Sequence, residues 1–255
     1  MIVREHPDKF IMIEQDNHAK ASGDIMANWK RSLYKGLDFK KSVDYANYNH
    51  DSGWRPFDLK PFWNDEKKVP YTFVTFPNLP KIVLYKNGID EVEKKDSYAA
   101  LLCSEHYKRF LLNNTSDTAQ AFVKNEEQRQ ERISQTLKID KQLFKFHYSL
   151  VQLGDNISLY LCLNEPGTAK QKEHPFFKEG IPLSSDLHGF NQDTLKLRWT
   201  DENTVSISEF PFENIIETKI KQKVLEKDAI AAKGLIKCYE EAPYEETSIS
   251  LVPES

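Results

Sequence analysis

The chain has no excess of positive charge: 35 Lys and Arg stand against 39 Asp and Glu, a net charge of −4, and the isoelectric point lies near 6.0. Without a basic stripe there is no electrostatic footprint for a nucleic-acid polymer, although a nucleotide substrate stays open. Long apolar runs are missing too. The opening MIVREHPDKF carries charges where a signal peptide needs an apolar core, and no stretch approaches a membrane span. The expectation is a cytoplasmic protein with no membrane partner. Cys103, Cys162 and Cys238 are odd in number and show no C-x-x-C spacing, so they form no complete disulfide framework. Cys103 and Cys162 fall in apolar helical segments, where a thiol acts as a small hydrophobe. A phosphate-binding G-x-x-x-x-G-K loop, a G-x-G-x-x-G turn and a G-x-S-x-G elbow are all absent, which removes support for kinase, dinucleotide and serine-hydrolase readings. There is no internal repeat.

What remains is enough to fold. At 255 residues, with 39% hydrophobic and 12% aromatic content, the chain can bury a sizeable core. A mean hydropathy of −0.63 indicates a well-solvated surface. Two short β-prone runs, MIVRE and FIMIEQ, flank the polar HPDK and predict an antiparallel hairpin. Helical spacing begins near Asp16, placed to cap its helix, and is expected again from Ser42 to Asp51, Ser97 to Leu112, Ala119 to Leu137 and Lys141 to Leu163. Residues 54 to 80, rich in Trp, Phe and Pro, show no clean period and are expected as an ordered loop over a pocket. After Glu165-Pro166-Gly167 the pattern turns strand-like through TLKLRWT, VSISEF, IIETKIKQKVL and TSISLVP, while KDAIAAKGLIKCYEEA reads as either a short helix or a strand remnant. The fold class is α+β and mainly α: residues 1–165 form a helical domain with an N-terminal hairpin, and residues 166–255 a β-rich lobe packed on it. That lobe would shape the pocket or join copies in a homo-oligomer.

Four of the expected helices carry ionisable residues on their apolar faces. His18 shares a face with Ser22, Ile25 and Trp29; His50, with Asp51 beside it, follows Val43 and Ala46; His106 lies between Leu102 and Phe110; Asp155 follows Tyr148 and Val151. A buried unpaired charge costs several kcal/mol, so inward-facing charges require mutual pairing or a shared cation. Imidazole with carboxylate suits zinc, manganese or iron rather than a thiolate-preferring ion. Asp155 is a poor mid-helix residue. Gly154 before it would let another helix approach, and Ser158 faces the same way as a hydrogen-bonding partner.

The order His, His-Asp, His, then a late Asp in a D-x-x-S-L context resembles the HD superfamily of metal-dependent phosphohydrolases. MIVRE, QDNHAK, NHDSGW, YAALLCSEH and LGDNISLYLCL together resemble a bacterial domain-of-unknown-function family, DUF3891, over nearly the whole chain. The HD resemblance implies an HD-like helical domain in which His18, His50, Asp51 and Asp155 hold a divalent metal (Mn, Fe, Zn or Mg), with His106 binding a second metal or contacting substrate. Asp51 and His106 are then the catalytic residues, and the substrate is a small phosphorylated or nucleotide-like molecule. HD-type di-iron oxygenases are the alternative, for which His147 must be a further ligand although it lies about 80° off the face of Asp155. A non-catalytic metal-binding or regulatory module is the third reading.

Trp54, with Phe57, Phe62 and Trp63, either stacks on a substrate or packs as a lid. Arg55 is the cation within that group and a candidate phosphate contact. Arg109, beside Lys108 and one turn beyond His106, either holds a phosphate or belongs to a solvated face. His6, His174 and His188 fall in expected turns and loops.

Overall fold

A computed structural model describes residues 1–254. The chain opens with β1 (Ile2–Glu5) and β2 (Lys9–Ile13), paired antiparallel with Ile2 opposite Ile13. Helix α1 (Gln15–Ala27) follows directly. Asp16 does not cap it: the helix starts after Glu14 without a side-chain cap, and Asp16 in its first turn binds Arg55 and Lys20 instead. Helix α2 (Lys40–Asn49) ends at His50.

Residues 54–80 are more regular than their composition suggests. They contain the short helix α3 (Arg55–Leu59), a two-residue ladder of β3 (Trp63–Asn64) and β4 (Val69–Pro70), and the start of α4 (Asn78–Glu93). Trp54, Phe57 and Phe76 pack on one another inside the core. Helix α4 is the element that the apolar pattern does not announce. Gly88 sits within the unbroken helix because a side chain has no room there: an added Cβ would lie 2.6 Å from the Gly53 backbone nitrogen.

Three helices follow with side-chain caps. Asp96, Ser116 and Asp140 accept the backbone N–H of Ala99, Ala119 and Leu143, satisfying an orphan donor at the starts of α5 (Ser97–Arg109), α6 (Asp117–Leu137) and α7 (Lys141–Leu163). Helix α7 is apolar on most sides and runs through the core from Phe146 to Cys162. All three cysteines are free and buried.

The C-terminal part supplies β5 (Ile181–Pro182), β6 (Thr194–Leu195), β7 (Leu197–Trp199), β8 (Thr204–Ile207) and β9 (Ile216–Glu226). Two short helices, α8 (Lys227–Lys233) and α9 (Leu235–Glu241), divide at Gly234 and lead into β10 (Glu245–Pro253). The main sheet has six strands in the order β1-β2-β9-β10-β8-β7, with only β8 and β10 parallel. The N-terminal hairpin therefore shares its sheet with the C-terminal strands, through β2 against β9 with Phe10 opposite Leu225. Strand β9 alternates buried and exposed residues over most of its length and lies against α1. The architecture is mainly α with a strand-rich C-terminal sheet, and no helix among the described residues is long and apolar enough to cross a membrane.

Candidate metal centre

Helices α1, α2, α5 and α7 pack around one point. Each supplies an ionisable residue there: His18 from α1, His50 and Asp51 from the end of α2, His106 from α5 and Asp155 from α7. Glycine 154 makes the approach possible, since a Cβ at that position would sit 2.6 Å from Ser22 Oγ and 2.7 Å from Asn47 Oδ1. His50 keeps helical backbone angles at the end of α2 while Asp51 leaves them, and the two neighbours face one centre.

His18 Nε2 lies 3.0 Å from Asp51 Oδ2 and 3.6 Å from Asp155 Oδ1. His50 Nε2 lies 3.3 Å from His18 Nε2 and 3.4 Å from Asp155 Oδ1. His106 Nε2 is 3.9 Å from Asp51 Oδ1. Two overlapping sets, His18 with His50 and Asp51, and His50 with His106 and Asp155, each offer ligand atoms within 4.8 Å of one another. All five side chains are buried.

The remaining ring nitrogens have partners that fix where protons sit. The Asn47 carbonyl, 2.8 Å from His50 Nδ1, can only accept, so that nitrogen donates. Ser158 donates its hydroxyl to the Asp155 carbonyl at 3.0 Å, which leaves its oxygen to accept from His18 Nδ1 at 2.8 Å. Both imidazoles thus direct Nε2 inward, the arrangement in which a metal ligand is held by a hydrogen bond on its far nitrogen. Gln15 donates to Asp51 Oδ2 at 2.7 Å and fixes that carboxylate, while its buried Oε1 has no protein partner.

Burial raises the pKa of Asp51, but the hydrogen bond from His18 and the charges of His50, His18 and His106 outweigh it and hold the carboxyl well below its usual range. Asp155 is lowered in the same way, burial being overcome by His50, His106 and His18. For His106, burial dominates and lowers its pKa to about 4, leaving a neutral imidazole. His50 moves oppositely: burial opposes its charge, yet Asp155 and Asp51 raise it to about 9. That rise reports the negative potential that two buried carboxylates create, and a divalent cation would experience the same potential. Five buried imidazole and carboxylate groups, without a thiolate, fit a divalent cation that takes nitrogen and oxygen ligands.

Beside the cluster lies a cleft of about 370 Å³ that Asp51, His106 and Asp155 help to line. Trp54 also lines it, although it is almost fully buried and packs against Phe57, Phe76 and Tyr85. The two candidate phosphate contacts, Arg55 and Arg109, do not. Arg55 is engaged with Asp16 and Asn49, and Arg109 with Glu105 and the face of Tyr148, so neither is among the residues lining the cleft. His147 stands apart as well. Its Nε2 donates to the Lys35 carbonyl at 2.8 Å, and its Nδ1 accepts the Tyr98 hydroxyl at 2.6 Å, leaving no nitrogen for an ion.

Gln15 and Lys81 also line the cleft, and neither is among the residues that the sequence pattern singles out. The signal for Gln15 was present, since it lies one turn before His18 on the same helix face. Lys81 lies in α4, where no period drew attention.

Residues 1–227 match the model of a family described as "Protein of unknown function (DUF3891)". No curated protein and no solved structure matches the chain.

Proposed function

The chain belongs to the DUF3891 family, and we propose that it is a metal-dependent phosphohydrolase acting on a small phosphorylated or nucleotide-like molecule. One observation carries this reading. Two buried imidazoles turn Nε2 toward each other at 3.3 Å, with Nδ1–H donating to the Ser158 hydroxyl oxygen and the Asn47 carbonyl, while two anionic carboxylates converge on the same space. Without metal, the proton that Asp155 and Asp51 keep on His50 lies between these nitrogens, and a divalent cation would take its place among the same ligands.

A bound divalent cation would supply Lewis-acid polarisation of a phosphoryl oxygen and a more acidic water. His18, His50, Asp51 and Asp155 would hold it. Gln15 keeps Asp51 in orientation, and Ser158 and Asn47 do the same for the two imidazoles. His106 is the cluster's neutral imidazole at the cleft, able to serve as a further ligand or to stabilise charge on the substrate. The aromatic walls formed by Trp54, Phe73 and Tyr85 limit water around the reacting group. The open cleft favours a catalytic centre over a closed structural site, because structural metal sites surround their ion with protein ligands. The engagement of both His147 nitrogens weighs against the di-iron oxygenase alternative.

Protein purified without chelators should carry about one or two divalent ions per chain, and Asp51→Asn should lose most of them. Metal-loaded protein should release phosphate from some member of a phosphorylated-substrate panel without consuming oxygen. Full metal occupancy in Asp51→Asn would remove that residue from the ligand set, and oxygen uptake with substrate would overturn the hydrolase.

A further inference from the structure

We infer that the cleft recognises a phosphate monoester with a flat apolar body, its anionic head lying between the His/Asp cluster and Lys81. This rests on the cluster being a metal centre. Lys81 is only 8% exposed and lines the same cleft as Asp51, His106 and Asp155. Its ammonium donates to the Val74 carbonyl at 3.1 Å, and no carboxylate among the described residues forms an ion pair with it. An ammonium has three donors, so two are left for something else. Burial alone lowers its pKa, with no anionic neighbour opposing the shift. A buried cation without a counter-ion is costly unless an anion arrives. In the same cleft as a metal-loaded cluster, an anion shared by both cations satisfies each.

The mouth of the cleft determines the rest of the ligand. Val74, Phe110 and Phe176 line it and remain 56%, 56% and 60% exposed. Exposed apolar side chains gathered at the lip of a polar cleft mark a ligand surface, and phenyl rings favour a flat partner. A volume of about 370 Å³ suits a small molecule rather than a polymer. Lys81 is then the residue that selects an anionic substrate, and the rim selects its apolar body.

The test uses hydrolysis-resistant probes, phenylphosphonate and methylphosphonate, titrated calorimetrically into manganese-loaded protein after its metal content is measured. Phenylphosphonate should bind about 10-fold more tightly than methylphosphonate, as expected for partial burial of one ring. Lys81→Gln retains a donor for the Val74 carbonyl but removes the charge. It should weaken both probes by about 10- to 100-fold, the scale of a charge-assisted hydrogen bond, with metal content unchanged. Lys81→Arg should retain most of the affinity, and Phe176→Ala should narrow the gap between probes while leaving methylphosphonate unaffected. Unchanged affinity in Lys81→Gln, or equal affinity for the two probes, overturns the inference while the metal centre stands. Wild-type protein that takes up no metal overturns both, and the first measurement separates the two failures.

Discussion

Replacing Ser158 with alanine isolates the hydrogen bond that orients a ligand without touching the ligand itself. The Ser158 oxygen accepts from His18 Nδ1 at 2.8 Å inside a fully buried environment. In metal-loaded protein His18 must present a bare Nε2, so its proton stays on Nδ1 and the variant leaves that N–H without an acceptor. An unpaired buried donor costs about 1–3 kcal/mol. Loss of a partner behind a metal ligand typically weakens metal binding by about 10- to 100-fold, the same scale at about 1.4 kcal/mol per factor of ten. In metal-free protein the cost is smaller, because His18 can carry its proton on Nε2 and donate to Asp51 Oδ2 at 3.0 Å. Alanine also gains roughly 0.5 kcal/mol of helix propensity over serine, which offsets part of the lost bond to the Asp155 carbonyl. Ser158→Ala should therefore bind metal about 10- to 100-fold more weakly, yet melt close to wild type in chelator. Competition titration against a chromophoric chelator, with melting curves in parallel, measures both quantities. Metal affinity within about twofold of wild type would refute coordination through His18 Nε2. A melting loss of equal size with and without chelator would make Ser158 a purely structural residue.

Chelator should lower the melting temperature of wild type by roughly 10 °C if the ion is present at about a thousand times its dissociation constant. Asp155→Ala should start near that lower value and barely respond; wild type that ignores chelator would instead favour a buried ion-pair network. His147→Ala should keep its full metal content while losing about 2–4 kcal/mol of stability through two broken hydrogen bonds and a cavity, and metal loss measured by elemental analysis would restore His147 to the ligand set. Gly154→Ala forces a methyl against Ser22 and Asn47, so it should cost about 1–3 kcal/mol in urea denaturation and lower metal occupancy by moving the acceptor of His50 Nδ1. Wild-type stability in that variant would contradict a close approach of α7 to α1 and α2.

Much of the centre can be read from helical spacing, because each of its residues sits on an apolar face where a charge is out of place. His18 and Asp155 are plain in this way, and Ser158 follows from Asp155 by three residues. The limits of α7 are equally plain, since helical spacing of apolar residues runs from Leu143 to Leu163 between Asp140 and Asn164. Helix α4 is hidden by Gly88, whose role is set by the Gly53 backbone in another part of the chain. Lys81 is hidden with it. The placement of the arginines is illegible for a different reason: proximity in sequence to His50 or His106 says nothing about the carboxylates Asp16 and Glu105 that engage them. The pairing of β2 with β9 leaves no periodic trace, because strand alternation records which face is buried and not which strand lies alongside.

That pairing bears on how the molecule is made. All five residues of the His/Asp cluster precede Asn164, but β2, which leads straight into the helix carrying His18, has its second neighbour in β9, with Phe10 opposite Leu225. Until β9 is made, the hairpin has one row of amide and carbonyl groups unpaired, a template for foreign strands. Closing so long a loop is slow compared with forming the helices. The hairpin thus keeps an open edge until β9 has been made, and release of the chain before that point would leave a sticky edge directly beside the helix carrying His18.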